Sequence, residues 1–105
     1  MKAVAITSRR SFSLKSVQAV PLVTEGGIAL ELLCFEAGQK TEEFRNIGTT
    51  VYQVIEGEVI FRSGGEREQL GSGRLLTVPA GIAHTAENAG GGLLTLLVTR
   101  GPAAQ

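Results

Sequence analysis

The chain has 105 residues, with ten Lys or Arg balanced by ten Asp or Glu, so no broad electrostatic attraction to nucleic acid or to an anionic membrane is expected. Its length suits one domain able to bury roughly two thirds of its unfolded surface, and no apolar run approaches the roughly eighteen residues of a membrane span. A single cysteine, Cys34, excludes an intramolecular disulfide and fits a reducing compartment; the start, MKAVAITSRRSF, turns polar well short of a signal-peptide core, so a cytoplasmic protein is expected.

Taken in chain order, residues 1–15 read as an N-terminal arm or an edge strand, one that pairs along a sheet edge, a partner's included. Residues 16–23 and 28–35 are β-rich and separated by Thr24-Glu25-Gly26-Gly27, a turn signal. Cys34, inside the second run, reads as a buried small hydrophobe. Residues 51–62, VYQVIEGEVIFR, are mostly β-branched and aromatic, and the break at Glu56-Gly57-Glu58 predicts two strands meeting at a tight turn. Ser63-Gly64-Gly65-Glu66 predicts a hairpin into 67–70. The runs 75–78 and 93–99 complete the strands, the latter preceded by Gly90-Gly91-Gly92, and residues 101–105 are a short tail. Helical periodicity is weak everywhere, whereas glycine, at fourteen residues, punctuates the whole chain.

Many short strands with glycine turns predict an all-β fold that closes on itself, because a single open sheet would leave one apolar face in water. A small antiparallel β-barrel or double-sheet jelly roll, as a single domain over 1–105, meets that requirement. Within 51–55, Tyr52 and Val54 share a face with Thr50, while Val51, Gln53 and Ile55 take the other. Apolar residues facing away from the interior then need cover of their own.

The stretch GRLLTVPAGIAHTAEN, from Gly73 to Asn88, holds the chain's one histidine, His84. Its spacing is glycine, five residues, proline, any residue, glycine, two residues, histidine, three residues, asparagine. This resembles the second motif of the cupin superfamily at every position. The first cupin motif runs glycine, five residues, His-x-His, three or four residues, glutamate, six residues, glycine; Gly38 opens it here and Gly57 closes it. Counting from Gly38 puts Phe44 and Asn46 at the two histidine positions, and counting back from Gly57 puts Thr50 at the glutamate position. The resemblance implies a small barrel-type cupin that forms a homodimer, with three of the usual four metal ligands replaced.

One imidazole beside an amide and a hydroxyl is a poor donor set for zinc, iron, manganese or nickel, so neither a metal nor another cofactor is expected. If the resemblance holds, Phe44, Asn46, Thr50, Tyr52 and His84 converge on the barrel interior. A mostly apolar cavity with a few polar groups is the usual composition of a small-molecule site. The function expected is binding of a small organic molecule of unknown identity by a metal-deficient cupin. The alternative is an enzyme: either acid–base chemistry through His84 and Tyr52, similar to the sugar-epimerase branch of cupins, or a weak metal site using His84 and Glu42. Against both stands the plainer reading of His84 as a core histidine whose hydrogen bonds Tyr52, Asn46 or Thr50 satisfies.

Overall fold

In the computed structural model, which describes residues 1–102, the chain is all-β, with one 3₁₀ turn at Thr7–Arg9. Eight strands follow: β1 (Gln18–Glu25), β2 (Ile28–Phe35), β3 (Thr50–Glu56), β4 (Glu58–Ser63), β5 (Glu66–Gly71), β6 (Leu75–Val78), β7 (Thr85–Asn88) and β8 (Leu94–Arg100). They form a five-stranded sheet in the order β1-β2-β8-β3-β6 and a three-stranded sheet in the order β5-β4-β7. Every pairing is antiparallel, and the two sheets face each other as a double-sheet jelly roll. Isolated bridges from Lys40 to Glu87 and from Phe44 to His84 lay the segment before β3 alongside β7, extending the smaller sheet.

The break at Gly57 is where the sequence places it, but β3 and β4 do not form a hairpin. Gly57 carries the chain from the larger sheet across to the smaller one. Its φ is +89°, and a Cβ there would run into the carbonyl oxygen of Leu93 and lie 2.9 Å from Leu94 Cα. The crossing therefore needs glycine twice over, for the backbone angle and for the space. Gly38, Gly73 and Gly81 also hold positive φ, which gives the retained motif glycines a purely conformational role. Strand β7 is the element that the sequence pattern does not predict. Its sequence, TAEN, carries almost no β signal, and its inward residues are only Ala86 and Asn88.

The interior is ordered in rungs across β2, β8 and β3. Phe35 lies opposite Leu94; Leu33 opposite Leu96, which meets Val54 on its other side; Glu31 opposite Val98, which meets Tyr52; and Arg100 opposite Thr50. The inner face thus runs from fully apolar at the Phe35 end to charged at the Arg100 end. Val59, Phe61, Leu70 and Ala86 complete the core from the smaller sheet. Asn88 closes the apolar end: its Nδ2 donates to the carbonyls of Gly92 (2.8 Å) and Glu36 (3.0 Å), and its Oδ1 accepts from the Gly90 amide at 3.1 Å.

The outward residues Leu32, Cys34 and Thr95 are fully buried as well. Residues 1–15 form no strand; they run as an arm over this outer face. Arg10 pairs with Glu56, whose Oε1 also accepts from Thr95 Oγ1 at 2.8 Å, and Gln39 Nε2 donates to the Ser13 carbonyl at 2.7 Å. Burial pushes up the pKa of the Cys34 thiol, with the Ser11 backbone and the Arg10 charge pulling the other way. The chain covers its own exposed sheet face because Leu32 and Cys34 would otherwise put apolar surface into water. Of the expected tail, Gly101 and Pro102 are seen, Gly101 donating to the Thr49 carbonyl at 2.9 Å; residues 103–105 lie outside the described region.

Candidate functional site

His84 is delivered by the turn after β6. Gly81, with φ +79°, donates its amide to the Asn46 carbonyl at 2.8 Å, which ties this turn to the segment leading into β3. Beyond that turn, His84 and Phe44 exchange backbone hydrogen bonds of 2.9 and 3.1 Å. Side chains directly opposite in an antiparallel pair share a face, so the Phe44 ring packs on the imidazole, centroids 4.6 Å apart.

Both imidazole nitrogens are engaged. Nδ1 lies 2.8 Å from the Ile82 carbonyl oxygen, which can only accept, so Nδ1 carries the proton. Nε2 is then the acceptor, and the Tyr52 hydroxyl donates to it at 2.7 Å. Tyr52 is fully buried, with its ring 4.9 Å from that of Phe61. Burial raises the Tyr52 pKa far above the phenolic range, against the opposing pull of the Arg100 charge and the Asn46 amide. The hydroxyl is consequently held as a neutral donor.

Asn46 and Thr50 belong to a second chain of contacts beside this pair. Asn46 Nδ2 donates to Thr50 Oγ1 at 2.5 Å, Arg100 Nε donates to Asn46 Oδ1 at 3.2 Å, and Arg100 Nη1 pairs with Glu31 Oε1 at 2.5 Å. Among the described residues no buried side-chain nitrogen or oxygen lacks a partner. The structure brings Phe44 and Tyr52 against His84 and joins Asn46 to Thr50; Thr50, Tyr52 and His84 are buried, and Phe44 and Asn46 are partly buried.

These residues do not fit a metal. Phe44 offers no donor, Asn46 and Thr50 satisfy each other, and a metal on His84 Nε2 would have to displace the Tyr52 hydroxyl. No group of three or more His, Cys, Asp or Glu capable of holding an ion occurs among the described residues. Glu42 does not join His84. It stands on the wall of a different recess.

Two recesses flank the stacked rings and share no lining residue. His84 borders a small one of about 140 Å³, with Phe61, Leu76, Val78, Pro79 and Ile82 as its apolar walls. Phe44 borders a broad groove of about 590 Å³ at the mouth, together with Val17, Leu33, Glu31, Arg100 and Glu42. Glu31 and Arg100 escape the sequence reading, although alternation contains the signal. Glu31 has the parity of Leu33 and Phe35, and Arg100 that of Leu94, Leu96 and Val98.

An all-β double sheet with a second-motif histidine and glycine-framed turns defines a cupin. Residues 31–100 match the family described as Cupin domain, and the chain belongs to that family. The chain is similar to a protein of known crystal structure from Thermus thermophilus, at 25% identity over 97% of this chain and 98% of that one, TM-score 0.89. It is also similar to a cupin from Desulfovibrio desulfuricans described as RmlC-like, at 21% identity over 97% of each chain, TM-score 0.86. A cupin superfamily protein from Desulfitobacterium hafniense shares 21% identity over 96% of this chain and 91% of its own, TM-score 0.83. No match was found among curated proteins. Among the described residues no helix is long and apolar enough to cross a membrane.

Proposed function

We propose that this chain is a metal-deficient cupin that binds a small organic molecule in the groove at the barrel mouth. The observation that carries the reading is the contrast between a filled metal position and an open groove beside it. The volume of about 590 Å³ lies inside the range of roughly 300–1,000 Å³ typical of small-molecule sites. Its wall combines apolar Phe44, Leu33 and Val17 with a few charged groups, the composition that gives both affinity and orientation. Of the five expected site residues Phe44 lines this groove, His84 lines the smaller recess, and Asn46, Thr50 and Tyr52 line neither, so they would support such a ligand only through Phe44 and Arg100. A thermal-shift screen against a metabolite library, followed by NMR shift mapping, tests this. Stabilisation by a metal ion alone, with no organic molecule having any effect, overturns it.

A second reading is acid–base catalysis by the Tyr52–His84 pair, favoured by the 2.7 Å bond and by the position of His84 on the smaller recess. Replacement His84→Asn abolishes turnover if that reading holds; retained turnover of an identified substrate excludes it. The homodimer implied by the family likeness is also a proposal, supported by Leu75, which is 58% exposed on edge strand β6. Sedimentation at micromolar concentration distinguishes one copy from two.

A further inference from the structure

We propose that the ligand class taken by the groove is a small zwitterion with an apolar body, such as an apolar α-amino acid, seated on the Arg100–Glu31 pair. This rests on the groove being the binding site and goes further by naming what fits it.

The pair occupies inward positions of β8 and β2, the two central strands that meet at the mouth. It is fixed from behind: Arg100 Nε donates to Asn46 Oδ1, and Nη1 forms the ion pair with Glu31 Oε1. Among the described residues the remaining Nη1 and Nη2 protons of Arg100, and Oε2 of Glu31, have no partner. Both side chains still reach the groove, with 30% and 16% exposure. A held guanidinium and a held carboxylate, side by side with unused donors and acceptors, present adjacent charges of opposite sign.

A ligand bearing one charge meets only half of that arrangement favourably. A lone carboxylate that reaches Arg100 also meets Glu31, and the groove wall sets Glu42 and Glu43 against a single further cation, Lys40. A lone ammonium that reaches Glu31 meets Arg100, which Asn46 prevents from turning away. A molecule carrying both charges a bond or two apart satisfies both without breaking the protein's own ion pair: its carboxylate takes the free Arg100 protons and its ammonium takes Glu31 Oε2. The apolar part of the same wall, Leu33, Val17, Ala19 and Phe44, suits an aliphatic or aromatic side chain, with Ser16, Lys40 and Thr41 the other polar groups of the groove.

The test is a set of NMR titrations with L-leucine and L-phenylalanine against matched molecules lacking one charge, isoamylamine and phenethylamine on one side, 4-methylpentanoate and 3-phenylpropanoate on the other. The amino acids are expected to shift resonances of Glu31, Leu33, Phe44 and Arg100 and to bind at least about tenfold more tightly than either single-charge analogue. Glu31→Gln and Arg100→Gln are each expected to weaken amino-acid binding by about tenfold or more. Thermal melts confirm folding, and Glu31→Gln carries the test should Arg100→Gln fail to fold. Equal binding of an amine or acid analogue, or shifts confined to the His84 recess, overturns the proposal. If the metabolite screen yields a groove ligand without paired charges, the zwitterion inference fails while the groove reading stands; if nothing binds there at all, both fail.

Discussion

At one end of the barrel interior Phe35, Leu94 and Leu96 are completely buried and meet across the strands through apolar contact alone. At the other end Tyr52 and His84 share one hydrogen bond, and a second chain runs from Thr50 through Asn46 to Arg100, which forms an ion pair with Glu31. Strands β2, β3 and β8 run through both ends, with successive rungs two residues apart along each strand. The apolar end is held by volume, so its residues are defined by size, whereas the mouth is held by complementary donors and acceptors, so its residues are defined by chemistry. That division shows how the interior stays filled and hydrogen-bonded around a single histidine. Phe44 takes up space beside His84, and Tyr52 supplies the bond that the imidazole would otherwise lack.

The division is broken most severely at the closed end. Gly57→Ala combines a strained φ with a clash against Leu93, and a loss of about 4 kcal/mol is expected in urea unfolding. Next comes Leu96→Ala, expected to cost about 3 kcal/mol through the cavity it opens, with Leu96→Met costing less than about 1.5 kcal/mol. A polar change at the mouth has the next rank. Tyr52→Phe keeps the ring but leaves Nε2 of His84 buried without a donor, at about 2 kcal/mol.

That variant also has a pH signature. Folding raises the Tyr52 pKa, so the folded chain holds this proton more tightly than the unfolded one. Its contribution is fully present below the unfolded value of about 10 and is lost as pH rises above it. Stability should therefore decline above about pH 10, and Tyr52→Phe should flatten that decline. Tyr52 is the chain's one tyrosine, so tyrosinate absorbance in the wild type should emerge together with unfolding. Ionisation of the phenol in a chain that remains folded would contradict the buried Tyr52–His84 bond.

The smallest effect belongs to the rim. Glu31→Gln removes one partner of a partly exposed ion pair, and a stability change under about 1 kcal/mol is expected, in contrast to its expected effect on binding. A large stability loss at Glu31 would mean that the mouth is a structural core like the other end.

Much of this division is legible before any coordinates. Alternation puts Thr50, Tyr52 and Val54 on one face, and burial follows that parity. Motif spacing puts Phe44, Asn46 and Thr50 near His84. Other features are hidden for identifiable reasons. TAEN has no strand propensity of its own, and β7 exists because β4 pairs with it along one edge while Phe44 and Lys40 bridge to this segment on the other. Residues 1–15 read as an arm or an edge strand, because nothing local says that Cys34 and Leu32 need covering from outside. Glu31 and Arg100 look like ordinary strand charges until β2 and β8 are set side by side.

Local geometry is what the order of residues specifies directly: positive-φ glycines at Gly38, Gly57, Gly73 and Gly81, the two-residue alternation, and the spacing that brings Phe44, Asn46 and Thr50 toward His84. These are properties of a few bonds, so a few residues suffice to specify them. Long-range packing makes Tyr52 the partner of His84, sets Asn46 between Thr50 and Arg100, and leaves open volume beside Phe44. Those choices depend on distances between strands far apart in the chain, where a shift of about 1 Å separates a hydrogen bond from none.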